Sequence, residues 1–309
     1  MKFGPVPLDQ AAGAVLAHSV ALPDGRLRKG RVLSPQDLEA LRAADHETLI
    51  VARLGAGDLG EDAAASRLAR ALVPDPEGAG LRLGAAATGR VNLHADAAGV
   101  LSVDAARIDA VNAVHPMITV ATLPQWGRLA PGSMAATVKI ISYAVPEAAL
   151  AQACSAAGGG ALSRRAVVCP DADLIETSVG EDPGDKGRRS IRTRLERMGV
   201  SLGPRRMVAH RTAPLAEAIA ASQASVILIL TGSATSDLFD VAPEALRAAG
   251  GTVTHFGMPV DPGNLLFFGT LGTRPVIGLP GCARSPALNG ADWVLERILC
   301  GIAVSPHDI

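Results

Sequence analysis

Val226-Ile227-Leu228-Ile229-Leu230-Thr231-Gly232-Ser233-Ala234-Thr235-Ser236-Asp237 is a five-residue apolar run that breaks into a small, hydroxyl-rich loop. An apolar run of this length with β-branched residues reads as a strand buried on both faces, the strand type of a parallel sheet. A second such run, Pro275-Val276-Ile277-Gly278-Leu279, leads into Pro280-Gly281-Cys282-Ala283-Arg284-Ser285. Between them lies a third glycine-containing loop, Pro259-Val260-Asp261-Pro262-Gly263-Asn264. In an open α/β sheet, loops of this kind gather at the carboxyl ends of the strands, where ligands bind. Small residues let backbone N–H groups approach an anion closely.

Working outward, strands and helices alternate from residue 161 to the end. Strands are predicted over Ala166–Cys169, Met207–His210, Val226–Leu230, Val253–Phe256 and Val276–Leu279. Helices are predicted near Arg188–Met198, Leu215–Ser222, Ala242–Ala249 and Pro286–Leu299. That alternation argues for a doubly wound, mostly parallel sheet. Two smaller α+β regions precede it, giving expected boundaries of 1–78, 79–160 and 161–309. Pro74-Asp75-Pro76-Glu77-Gly78 marks the first boundary, and Gly158-Gly159-Gly160 reads as a flexible linker at the second. In the first region Ser34 and Pro35 open a helix, Thr48–Ala52 is a strand, and Glu61–Leu72 is a helix.

Composition narrows the function classes. The 309 residues suit about two domains. A hydrophobic fraction of 48% with 19% charged residues suits a folded chain with a substantial core. A net charge of −1 offers no footprint for nucleic acid or an anionic membrane, and 3% aromatics leave little for stacking bases. The cluster Arg188, Arg189, Arg192, Arg194 and Arg197 reads as a solvated helix face. The four cysteines form no CxxC pair, so no structural zinc site is expected. No apolar run reaches the roughly 20 residues of a membrane span, and the start lacks a signal-peptide core, so a cytoplasmic protein is expected.

The candidate site residues follow from the loops. Thr231, Gly232, Ser233, Thr235 and Ser236 offer hydroxyls and close backbone approach, and Asp237 and Asp240 could hold a metal or steer a nucleophile. The bland alternative is that Asp240 caps the next helix. Pro280, Gly281, Arg284 and Ser285 suit a phosphate at a helix start. Asp171, Asp173 and Glu176, followed by Glu181, Asp182 and Asp185, read as an acidic loop after the first strand. It is either solvated or a wall of the same pocket. Lys139, inside an alternating strand pattern, is expected at the surface. Gly55-Ala56-Gly57-Asp58-Leu59-Gly60 matches the dinucleotide pattern G-x-G-x-x-G and leaves an NAD-dependent enzyme as a remote alternative. Glu61 and Asp62 would crowd a pyrophosphate there.

The third region resembles the molybdopterin-binding domain of molybdenum-cofactor biosynthesis proteins (MoeA/MogA-like). That family runs from an apolar strand into T-G-G-x-S-x-G-x-x-D, then G-G, a P-G loop, and strand-L-P-G-x-x-x-S. This chain reads T-G-S-A-T-S-D-L-F-D over Thr231–Asp240, Gly250-Gly251, M-P-V-D-P-G-N over Met258–Asn264, and L-P-G-C-A-R-S over Leu279–Ser285. Gly232, Thr235 and Asp240 match the first block, Pro262 and Gly263 the second, and Pro280, Gly281 and Ser285 the last. Ser233 and Asp237 stand where the family has glycines. Pro170-Asp171-Ala172-Asp173-Leu174 only partly keeps the T-G-D-E-L of the family's molybdopterin molybdenumtransferases.

The resemblance implies a pterin ligand, molybdopterin or adenylyl-molybdopterin. It further implies molybdate insertion or adenylyl transfer, with Asp240, Asp237 and Asp182 as acids and Asp240 and Asp237 holding Mg²⁺. The sequence ends at Ile309 without a counterpart of the transferase's carboxyl-terminal β-barrel. With the departures above, this directs expectation toward a binding or carrier module serving a nucleotidyltransferase or a molybdoenzyme. Homo-oligomers are common in the family.

Overall fold

A computed structural model describes residues 1–180 and 182–309. The described residues hold eight α-helices and several sheets, one of them mixed, in an α/β arrangement. They gather into two compact units. The first comprises Met1–Asp96, Leu101–Gln125 and Gly132–Arg164; the second comprises Ala97–Val100, Trp126–Pro131 and Arg165–Ile309.

In the first unit the sheets are antiparallel. Lys2–Pro7, Thr48–Arg53 and Val15–Leu16 form one, with Thr48–Arg53 central. Ile118–Thr122, Met134–Ile140, Arg90–Ala95 and Leu81–Leu83 form another in that order. Ser34 and Asp37 close a capping box on the helix Pro35–Ala43, which fixes where it starts. The helix Glu61–Leu72 buries Ala64, Ala65, Leu68, Ala69 and Leu72, a stripe at helical spacing. Gly158-Gly159-Gly160 is not a free linker. Arg107 Nη1 bonds the carbonyls of Gly158 and Gly160 at 3.0 and 2.6 Å, holding the turn.

The second unit carries the mixed sheet. Its elements are β1 (Asp171–Ser178), α1 (Lys186–Arg197), β2 (Ser201–Leu202), β3 (Arg206–Ala209), α2 (Thr212–Ala221), β4 (Val226–Leu230), α3 (Val241–Ala248), β5 (Thr252–Phe256), β6 (Phe267–Leu271), β7 (Arg274–Leu279) and α4 (Gly290–Leu299). The order is β2-β1-β4-β7-β6-β5, and β3 also pairs with β1. Pairs among β1, β2, β3, β4 and β7 are parallel, whereas β7–β6 and β6–β5 are antiparallel. Leu174, Leu228, Leu230, Ile277 and Leu279 pack with Ile191 and Leu195 of α1 and Val294, Leu295 and Ile298 of α4. On the other face, Ile175, Ile227, Ile229 and Val276 pack with Leu215 and Ile219 of α2 and Ala245 and Leu246 of α3. Every residue of β4 is therefore buried, as its unbroken apolar run requires.

Three sequence expectations need correction here. The first strand of this unit is Asp171–Ser178, not Ala166–Cys169. Its acids are strand residues with their own partners, not a loop. Ser225 N and Oγ bond Asp171 Oδ1, and Ser222 Oγ donates to Asp173 at 2.7 Å. Glu176 is buried and pairs with Arg205 at 3.3 Å. A strand at Phe267–Leu271 went unread. Gly278 of β7 pairs with Phe267 across the antiparallel ladder, and an added Cβ at 278 would lie 1.8 Å from the Phe267 ring.

Candidate ligand site at the strand ends

The carboxyl ends of β1, β3, β4 and β7 open on one edge of the sheet, and the three glycine-containing loops are bonded to one another there. Arg284 Nη2 donates to the Thr231 carbonyl at 2.7 Å, joining the loops after β7 and β4. Asn289 caps α4 and donates from Nδ2 to Cys282 Sγ at 3.0 Å. Gly290 N donates to the Pro262 carbonyl at 2.8 Å, bringing in the third loop. Gly263 adopts φ 139°, and a Cβ there would lie 2.8 Å from Gly290 N. A glycine is needed for that approach.

The loop after β4 begins with Gly232, whose N–H donates to Thr177 Oγ1 at 2.8 Å. A Cβ at Gly232 would lie 2.6 Å from the Thr177 carbonyl, so this glycine too is set by close contact. Thr231 and Thr235 are buried with their hydroxyls 3.4 Å apart; Ser233 and Ser236 are exposed. Among the described residues the amides of Ser233, Ala234 and Thr235 donate to no protein group. Consecutive small-residue amides of this kind suit an anion.

The acids are spent locally. Asp240 Oδ2 accepts Ser236 N at 2.9 Å and Oδ1 accepts Val241 N at 2.7 Å, capping α3. Asp237 Oδ1 accepts Phe239 N at 2.8 Å. Asp182 is gripped by Arg205 at 2.6 and 3.0 Å and accepts Gly184 N at 2.8 Å. The Arg205 guanidinium, helped by the Gly184 amide, holds the Asp182 carboxyl below the usual carboxylate range. Among the described residues no group of three or more His, Cys, Asp or Glu side chains is placed to hold a metal ion. The Asp237–Asp240 pair is a turn-and-cap device and does not fit a resident Mg²⁺. Glu181 lies outside the described residues.

The last loop is fixed from below by a buried arginine. Arg194, read from sequence as part of a solvated face, is 7% exposed and ion-pairs with Asp292 at 2.5 Å. Its remaining N–H groups reach the carbonyls of Ala283 (3.1 Å), Ser285 (2.9 Å) and Ala287 (2.9 Å). Ser190 Oγ lies 2.9 Å from the Ser285 carbonyl. Arg188 is buried as well and donates to the Gly203 carbonyl. Arg189, Arg192 and Arg197 are exposed, as expected. Pro280 and exposed Gly281 open the short 3₁₀ turn that this arginine supports, and Pro262, Asn264 and Ser285 are exposed beside it.

Beside the loops lies a cavity of about 700 Å³ lined by Ser178, Val179, Gly180, Asp182 and Met207–Arg211. Of the candidate residues only Asp182 borders it. Thr177 and His210 were missed from sequence; the signal available was a histidine directly after an apolar strand.

The Gly55–Gly60 segment does not form a dinucleotide loop. Thr48–Arg53 sits in an antiparallel sheet, and Asp58–Gly60 is itself a strand pairing with Ala144–Pro146. Among the described residues no parallel βαβ unit surrounds it, so the NAD alternative loses its structural context. Lys139 is half-buried, and its ammonium reaches the Thr88 carbonyl.

A family model for a domain of unknown function (DUF8806) matches residues 5–53. No curated protein matches the sequence. Among the solved structures that are similar, two have low identity to this chain. A molybdopterin biosynthesis MoeA protein from Pyrococcus horikosii is 12% identical, with 97% of this chain and 75% of that chain covered and a TM-score of 0.35. A molybdenum cofactor biosynthesis protein B is 15% identical, with 44% of this chain and 96% of that chain covered and a TM-score of 0.32. Among the described residues no helix is long and apolar enough to cross a membrane.

Proposed function

We propose that this chain binds molybdopterin, or its adenylylated form, at the strand-end loops and serves molybdenum-cofactor biosynthesis. The observation that carries the reading is the ordered set of three loops, Thr231–Asp240, Met258–Asn264 and Leu279–Ser285, tied together by Arg284, Asn289 and Gly290. The amides of Ser233, Ala234 and Thr235 would receive the ligand's phosphate, where charge-assisted N–H bonds are strongest. Arg284 ties the last loop to the carbonyl of Thr231, which opens the loop that carries these amides.

Within this reading, carriage is favoured over turnover. Asp182, Asp237 and Asp240 each accept hydrogen bonds from protein donors, which supports a holding role over turnover. The chain would hold the cofactor for a partner nucleotidyltransferase or a molybdoenzyme, as a cytoplasmic protein. Mass spectrometry of pterins co-purifying with the native protein tests the binding claim; protein that carries no pterin and takes up none from solution refutes it. Molybdate-dependent release of AMP from adenylyl-molybdopterin, abolished by Asp240→Ala, would refute the carrier reading and restore molybdate insertion.

A further inference from the structure

The cavity beside the loops has chemistry of its own. Thr177 is fully buried, and its Oγ1 accepts the Gly232 N–H at 2.8 Å while lying 2.8 Å from His210 Nδ1. Among the described residues no other acceptor is bonded to this hydroxyl, so its proton goes to Nδ1. With Nδ1 as the acceptor, the ring proton sits on Nε2. That N–H has no protein partner among the described residues, and the ring lines the cavity. The guanidinium of Arg211, in the same lining, is also without a partner. The one described acid in the wall, Asp182, is neutralised by Arg205 through two bonds. Met207 and Val208 supply apolar surface.

We infer that this cavity binds the oxyanion end of a small molecule, a phosphate monoester or a carboxylate, between Arg211 and His210 Nε2. A planar cationic fork beside a ring N–H donor is an oxyanion-binding pair. The cavity of about 700 Å³ leaves room for a ligand larger than a bare oxyanion. Only Asp182 is shared with the candidate residues of the pterin reading, and the inference stands or falls without that reading.

The test is a titration of the full chain, ¹⁵N-labelled, followed at the His210 ring by long-range ¹H–¹⁵N NMR. His210→Gln identifies the signal. Inorganic phosphate and AMP form one arm and acetate the other. The expected result is a saturable shift at Nε2 and a free-state spectrum showing the Nε2–H tautomer. Arg211→Gln, at an exposed position, should weaken binding at least tenfold, and Ser233→Pro should leave the His210 response in place. Saturation by phosphate and AMP alone assigns a phosphate monoester; saturation by acetate alone assigns a carboxylate. A flat titration in both arms overturns the inference. So does a response that survives Arg211→Gln but disappears in Ser233→Pro, because the anion would then be sitting on the loop.

Discussion

The loops after β4 and β7 end neighbouring parallel strands yet are held in opposite ways. The β7 loop is gripped from beneath by Arg194, which satisfies three of its carbonyls and is itself neutralised by Asp292. The β4 loop is held by its own short acids, Asp237 and Asp240, while three amides stay unspent. One loop is a fixed wall whose polar groups are consumed; the other keeps donors for a ligand. The difference teaches that loops of similar composition can be a scaffold and a receptor, and that only the bonding partners tell them apart.

Breaking the wall should have the largest effect. Arg194→Ala leaves Asp292 buried without its cation and the Ala287 carbonyl without its donor, with Ser190 Oγ alone left for Ala283 and Ser285, so a loss of about 3–5 kcal/mol is expected. Urea denaturation measures it, and a change below about 1 kcal/mol would show that water replaces the clamp.

The receptor loop should answer to Gly232→Ala. The added methyl meets the Thr177 carbonyl at 2.6 Å, and overpacking of this kind costs about 1–3 kcal/mol. Here thermal melts and pterin binding should both suffer, whereas an equally stable variant would mean that the loop backs away without strain.

The pH dependence sharpens the contrast, because it falls on the clamped side. Burial raises the Glu296 carboxyl to about 7, although the Arg128 guanidinium 3.2 Å away opposes the shift. A folded value above the unfolded one near 4.5 makes this group's contribution fully present below about pH 4.5 and lost as pH rises through about 7. Glu296→Gln should therefore flatten that part of the stability-versus-pH profile by about 3 kcal/mol. Identical slopes for both proteins between pH 4.5 and 7 would remove Glu296 as the cause.

The smallest effect is expected at the cap. Asp240→Ala should cost about 1 kcal/mol of stability through the α3 cap and the lost bond to Ser236 N. In the carrier reading it leaves pterin release rates under molybdate unchanged, and a stopped-flow release assay checks that.

The sheet was legible where residues bury on both faces: β4 and β7 stand where their apolar runs put them. It was illegible at β1, where Asp171, Asp173 and Glu176 disguise a central strand. Each acid is matched by a group distant in sequence, Ser225, Ser222 or Arg205, and sequence periodicity carries no record of such partners. The loops themselves were read correctly as neighbours, because parallel strands deliver their ends to one edge. The state of the acids within them was not, since Asp240 satisfies equally the pattern of a helix cap and of a catalytic carboxylate. Arg194 was misread for a related reason: five arginines in ten residues look solvated, and only the carbonyls of a loop about ninety residues away pull one of them inside.

The gap at Gly278 carries information of a different sort. Phe267 fills the space that any side chain there would occupy, at the seam where the sheet turns from parallel to antiparallel. A slip of the β6–β7 pairing by one residue would bring Ile277 or Leu279 under the ring and eject it. The register at this seam is thus written as a missing side chain, a keyhole that accepts one alignment of the two strands and refuses its neighbours.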